Sequence, residues 1–122
     1  MALYHFHVGQ IKRSSGRSAV EAAAYRAGEK LYSEYYGLIS DYTHKGGVVH
    51  TEIMLPPHAP REYADRQTLW NAVEEAEHNK NAQLAYSFDI ALQNEFTMEE
   101  NMQLARKFLL GNFVSLGMTA DF

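Results

Sequence analysis

Hydrophobic residues alternate at the amino end. Over residues 3–8, Tyr4, Phe6 and Val8 face one way and Leu3, His5 and His7 the other, which predicts a first strand. The polar, basic stretch Gln10–Arg17 reads as a loop broken by Gly16. It leads into Ser18-Ala-Val-Glu21, where Ser18 can cap a helix and Glu21 can return the bond. A helix is expected from Ala19, packed through Val20, Ala23, Ala24, Ala27 and Leu31, with Tyr25 at the edge of that stripe. Two runs rich in β-branched and aromatic residues, Tyr36–Tyr42 and Val48–Leu55, flank His44-Lys-Gly-Gly47 and predict a hairpin turning on those glycines.

Pro56, Pro57 and Pro60 then impose a loop. Leu69, Trp70, Val73 and Ala76 recur at helical spacing, with Asp65 as the cap and an end near Asn79. Residues 84–92 alternate again, placing Leu84, Tyr86, Phe88 and Ile90 on an apolar face and Ala85, Ser87, Asp89 and Ala91 on the reverse. Thr97-Met-Glu-Glu100 is a second capping signature, opening a helix that turns Met102, Ala105, Leu109 and Phe113 inward and stops at Gly117. Met118–Phe122 reads as a new strand. The order β-α-β-β-α-β-α-β describes one α+β domain over residues 1–122, with helices covering an antiparallel or mixed sheet.

Composition narrows the class. The 122 residues are 46% hydrophobic, enough for a core without disulfides, and contain no cysteine. No apolar run is long enough to span a bilayer and no signal segment opens the chain, so a cytoplasmic protein with no membrane partner is expected. The net charge of −4 is unevenly spread. Residues 1–30 hold Lys12, Arg13, Arg17, Arg26 and Lys30 against Glu21 and Glu29, which makes the amino end the expected anion-facing region.

The titratable residues are ambiguous on their own. His5 and His7 share a strand face, but two imidazoles are fewer ligands than a transition metal usually takes, and a structural reading outweighs ligation. Asp89, on the polar side of its strand among small neighbours, can accept a proton or orient a metal-bound histidine, and can equally be solvated. Glu74, Glu75 and Glu77 read as a solvated helix face. Any of the eight tyrosines, taken alone, reads as structural. Tyr32, Tyr35 and Tyr36 are cross-strand pairs by preference, with a reacting tyrosine or a base-stacking platform as the alternatives.

Six segments change this picture: Ala2-Leu-Tyr-His-Phe6, Ser18-Ala-Val-Glu-Ala-Ala-Ala-Tyr25-Arg, Asp41-Tyr-Thr-His-Lys-Gly-Gly-Val48, Glu52-Ile-Met-Leu-Pro56, Leu69-Trp-Asn-Ala-Val-Glu74 and Ile90-Ala-Leu-Gln-Asn-Glu95-Phe. In order and spacing they resemble the MobA/MobL family of conjugative relaxases. The resemblance implies an α+β fold of the relaxase and rolling-circle replication initiator (HUH endonuclease) class. It also implies a plasmid-mobilisation enzyme that nicks one strand of DNA at an origin of transfer and stays joined to the 5′ phosphate through tyrosine.

The family's tyrosine matches Tyr25, with Lys12, Arg13, Arg17, Arg26 and His5 as expected contacts to single-stranded DNA. Asp89 is the matching carboxylate where the family carries a Glu-x-Glu pair, replaced here by Ser87-x-Asp89. A phenol, with a pKa of about 10, needs help to lose its proton. A divalent metal, Mg²⁺ or Mn²⁺, is therefore expected in the complete family domain. The family's metal-binding His-hydrophobic-His strand follows the segment that reads Met118–Phe122 here. The expectation for this chain is a truncated relaxase front portion that binds no metal tightly and is inactive alone, with a possible homodimer through the exposed edge of residues 118–122. The alternative is a non-catalytic single-stranded DNA-binding or dimerisation module derived from a relaxase.

Overall fold

Helix α1 (Ala19–Ala27) forms where its caps direct it, and the rest of the chain closes around its inner face. Ser18 has extended backbone angles and its hydroxyl accepts the Glu21 N–H at 3.1 Å. Gly28 ends the helix at φ 67°, a left-handed conformation that L side chains resist, and returns its N–H to the Ala24 carbonyl. The computed structural model describes residues 6–16, 18–76, 82–92 and 94–122. Within these, the elements in order are β1 (Phe6–Lys12), α1, β2 (Lys30–Ser33), β3 (Leu38–Asp41), β4 (Ile53–Met54), α2 (Arg66–Ala76), β5 (Gln83–Ile90), α3 (Met98–Asn112) and β6 (Ala120–Asp121). This is an α+β architecture whose described strand pairs are all antiparallel: β1 with β5, β2 with β3 and β4 with β6.

Strand β1 extends further along the chain than the alternation at 3–8 suggests. Pairing with the eight residues of β5 draws Gln10, Ile11 and Lys12 out of the expected loop, and Ile11 becomes buried. Leu3, Tyr4 and His5 lie outside the described residues. His7 stands opposite Asp89, Gly9 opposite Ser87 and Ile11 opposite Ala85.

Helix α1 lies over this small-residue side, reaching Ser87 through Arg26. Its alanines allow close approach: Ile11, Ala19, Ala82 and Leu84 form one buried cluster, with Ala22, Val73, Trp70 and Ala85 against it. The opposite face, expected to be the apolar interior, is only partly covered. The Phe88 ring meets Phe113 at 5.2 Å, while Tyr86 remains 61% exposed. A second buried cluster joins Val20, Ala23, Ala24 and Leu31, and Trp70 packs against both.

The hairpin differs from the one expected. Residues 38–41 pair backward with β2, Tyr32 opposite Ile39, around a turn closed by the Gly37 N–H on the Ser33 carbonyl at 2.8 Å. Tyr35 and Tyr36 sit in that turn rather than across strands. The decisive interactions come from α2. Gln67 Oε1 accepts the Tyr32 N–H, Asn71 Oδ1 accepts the Glu34 N–H, and Asn71 Nδ2 donates to the Tyr32 carbonyl. These amides satisfy the outer edge of β2 as a strand would. The expected partner run, 48–55, contributes only Ile53 and Met54, and these pair with β6.

Helix α2 has the expected cap, with Asp65 Oδ2 accepting the Thr68 N–H at 3.0 Å; the expected end near Asn79 lies outside the described residues. Of the glutamates read as a solvated face, Glu75 is exposed and Glu77 lies outside the described residues, but Glu74 is buried. Glu74 is 0% exposed, and its Oε1 accepts the Val20 N–H at 3.2 Å and the hydroxyls of Ser18 and Ser33 at 3.2 and 3.3 Å. The positive end of the α1 dipole lies at this point, and the Arg13 guanidinium donates to the Glu74 backbone carbonyl at 2.6 Å.

Helix α3 opens with the expected reciprocal capping box of Thr97 and Glu100. The strand expected at 118–122 reduces to Ala120–Asp121, one edge of which is paired with β4. Reciprocal backbone bonds between Glu52 and Phe122 extend the pairing. The buried Arg66 guanidinium grips Asp121 through two bonds of 2.8 Å and also holds Glu29, while the Trp70 indole N–H donates to Asp121 Oδ2 at 2.8 Å. The Asp121 carboxylate is the foremost reason that the Arg66 pKa rises further above its ordinary value. Among the described residues no helix is long and apolar enough to cross a membrane.

Removing the Glu74 carboxylate leaves the Val20 N–H without its acceptor at a helix start. Glu74→Ala is expected to lower unfolding free energy by roughly 2–4 kcal/mol, and Glu74→Gln by less because its amide oxygen still accepts. Urea denaturation followed by circular dichroism checks both values and their order.

Candidate active site

The capping that buries Val20, Ala23 and Ala24 turns the other side of α1, with Glu21, Ala22, Tyr25 and Arg26, outward. These four residues, with Gly16, Ser18 and Tyr42, line a cleft of about 410 Å³. Tyr25 is 52% exposed at its wall, so its hydroxyl can be reached from solvent.

Two residues of the loop after β3 frame the Tyr25 ring. The Tyr42 ring stands edge-on to it, centroids 5.3 Å apart at 88°. Lys45 Nζ lies 3.9 Å from the centre of the Tyr25 ring and donates to the Tyr25 carbonyl at 2.7 Å. Gly28 lies beneath this loop at a φ of 67° that L side chains resist, and a Cβ there would stand at ordinary contact distance from Val48, 3.4 Å, and the Tyr42 carbonyl, 3.7 Å.

The polar partners around the cleft are mutually engaged. Arg26 Nη2 donates to the Ser87 hydroxyl at 2.6 Å, which carries its charge across to β5. Glu21 does not complete the capping box expected of it; its carboxylate accepts the Tyr42 hydroxyl at 3.1 Å instead. That bond, followed by the Glu21 charge, raises the Tyr42 pKa above the usual phenol value. The start of α1 is not an open anion site, because Glu74 and Ser18 already hold the Val20 and Glu21 amides. Positive charge here therefore comes from side chains, Arg26 in the cleft lining and Lys45 over the Tyr25 ring.

The sequence-based candidates separate accordingly. Tyr25 and Arg26 stand together at the cleft. Lys12 is exposed at the end of β1. Arg13 is a correction: it is 7% exposed, its guanidinium 4.0 Å from the centre of the Tyr35 ring and bonded to the Glu74 carbonyl, so it serves the interior. His5 and Arg17 lie outside the described residues. Asp89 is exposed on the face that holds Ser87, directly across from His7, and no hydrogen bond or ion pair joins it to Tyr25 among the described residues.

Tyr42, Lys45, Glu21 and Ser87 were not singled out as site residues. Their signal was present in part: Tyr42 and Lys45 fall in the segment Asp41–Val48, one of the six that carry the resemblance.

Among the described residues no three His, Asp or Glu side chains gather as a metal site requires. His50 and Glu52 form a pair at 3.0 Å, joined by Arg106 at 2.9 Å, and these bonds, with that to His50 foremost, hold the Glu52 carboxyl below its usual range. This trio fastens β4 and α3 together beside Phe122 rather than offering open ligands.

Comparison with known proteins gives a consistent result. The sequence model of the MobA/MobL family matches residues 17–122. The chain is 42% identical over 121 residues to "Mobilization protein MobL" of Acidithiobacillus ferridurans, covering 99% of this chain and 31% of that protein. It is 39% identical to "Conjugal transfer protein TraA" of Rhizobium radiobacter and 34% identical to "Probable mobilization protein MobA" of Bifidobacterium longum, spanning all of this chain and 12% and 22% of those proteins. The chain thus spans about a third or less of the length of these relatives. A solved structure described as "Molecular Basis of Vancomycin Resistance Transfer in Staphylococcus aureus" superposes with a TM-score of 0.90 at 32% identity, covering 98% of this chain and 61% of that one.

The Glu21–Tyr42 bond makes a prediction that needs no substrate. Glu21→Gln removes the carboxylate that raises the Tyr42 pKa, so Tyr42 should titrate at lower pH, nearer the ordinary phenol value of about 10. Titration of the Tyr42 ring carbon by NMR in both proteins checks the direction.

Proposed function

The chain belongs to the MobA/MobL family, and on that premise we propose that it carries the nucleophile of a plasmid-mobilisation relaxase. In this reading Tyr25 attacks a phosphodiester of single-stranded DNA at an origin of transfer. The bond between its phenol oxygen and phosphorus forms as the bond from phosphorus to the 3′ oxygen breaks. The phenol proton passes to solvent, and the departing 3′ oxygen takes one up. The DNA stays joined through its 5′ phosphate, and attack by the free 3′ hydroxyl reverses the step.

One observation carries the proposal: the exposed Tyr25 phenol stands at an open cleft with the cations Arg26 and Lys45 beside it. Arg26 is suited to contact the phosphate next to the reacting one, and Lys12 to contact the strand further along. The printed names of the relatives, mobilization and conjugal transfer proteins, support the same process. A divalent cation, Mg²⁺ or Mn²⁺, belongs to this reading as a cofactor of the complete family domain. The described residues do not by themselves supply its ligands.

The test is covalent trapping. A single-stranded oligonucleotide with a sulfur in place of the bridging 3′ oxygen, a better leaving group, is incubated in Mn²⁺ with this sequence carried in a complete family domain that supplies the metal ligands, and resolved under denaturing conditions. The expected result is an adduct that disappears in Tyr25→Phe while oligonucleotide binding persists. Binding with no adduct, equal in the two proteins, would assign the chain to the non-catalytic single-strand-binding class instead.

A further inference from the structure

We infer that Lys45 is the positioning residue for Tyr25, a role that rests on the nucleophile reading above. An exposed tyrosine on a helix surface samples several side-chain rotamers, and only some present its oxygen at a fixed point. Here the ring is bounded on two sides. Tyr42 stands against it edge-on, and the Lys45 ammonium covers its face at 3.9 Å. Lys45 also donates to the carbonyl of Tyr25 itself at 2.7 Å, so one side chain fixes both the backbone and the ring of the same residue.

The contact is built into the fold. The Lys45 N–H donates to the Tyr42 carbonyl at 3.0 Å, which makes the turn that brings both framing residues to α1. Gly28 ends α1 against that turn, and Tyr42 is anchored by Glu21 from the same helix as Tyr25. Holding the phenol in one arrangement raises the fraction of molecules ready to attack without adding to DNA affinity. A lysine that only contacted phosphate would behave in the opposite way, adding affinity and salt dependence.

The experiment separates these roles with Lys45→Met, which keeps a long stem but no charge, and Lys45→Arg, which restores a cation. Adduct formation is timed at saturating oligonucleotide, and binding is measured separately by fluorescence anisotropy across a salt series. The Lys45 ε-methylene resonance is read by NMR as a test independent of chemistry, because a ring beneath it shifts it upfield and Tyr25→Leu should abolish that shift. Lys45→Met is expected to slow the saturated step about tenfold. Binding should change less than about twofold, and Lys45→Arg should recover most of the rate.

An unchanged rate in Lys45→Met overturns the proposal. So does a loss confined to binding with a smaller salt slope, which assigns Lys45 to a phosphate instead. If no Tyr25-dependent adduct forms in the unaltered protein, the nucleophile reading falls first. A retained upfield shift would then leave Lys45 as a structural clasp and end its positioning role.

Discussion

The Glu74 carboxylate holds the fold at its centre. It leaves α2, enters the start of α1 and takes bonds from Ser18, Val20 and Ser33, so one side chain joins a helix start, a second helix and the end of β2. A buried acid at such a point is costly unless its acceptor sites are used. Among the described residues Oε2 has no hydrogen-bond partner, and the compensation is concentrated on Oε1. The positive end of the α1 dipole lies at the same point, and Arg13 holds the Glu74 backbone carbonyl. Replacing Arg13 would therefore affect the interior before it affected any ligand.

That burial gives α1 its division of labour. Its inner stripe is alanine and valine, which lets the helix settle against the small residues of β5 and against Leu31 and Trp70. Its outer stripe is freed from core packing and carries Glu21, Tyr25 and Arg26 to solvent on a rigid support. The loop from Tyr42 to Val48 then closes over that outer stripe. A phenol on a capped helix is held more exactly than one on a loop tip, because the helix fixes its backbone before any side-chain contact is made.

The local signals were legible in the sequence. Ser18, Asp65, Thr97 and Glu100 act on amides within three residues of themselves, so their spacing alone identified three helix starts. Strand pairing was less legible, because both Gly37 and the Gly46-Gly47 pair permit turns. The choice between them depends on Gln67 and Asn71, whose side chains bond the edge of β2 across 35 to 39 positions. Glu74 was misread for a similar reason. Leu69, Trp70 and Val73 place it beside the apolar stripe of α2, yet its charge argued for water. Tyr25 became identifiable through resemblance, whereas no periodicity links Lys45 to a ring 20 positions earlier.

The Arg66–Asp121 clasp bears on how the chain is made. Arg66 ends up buried, and its bidentate partner lies 55 residues further along, whereas Glu29, its other partner, precedes it. Until Asp121 is made, two of the guanidinium nitrogens and the Trp70 indole N–H lack the acceptor they share in the fold, a cost for burying that side of α2. β6, which carries Asp121, can join β4 only after β5 and α3 have been made. A clasp between distant positions also makes closure slow relative to the helices it joins. Nascent chains arrested before Asp121 should accordingly present the Arg66 face to chaperones.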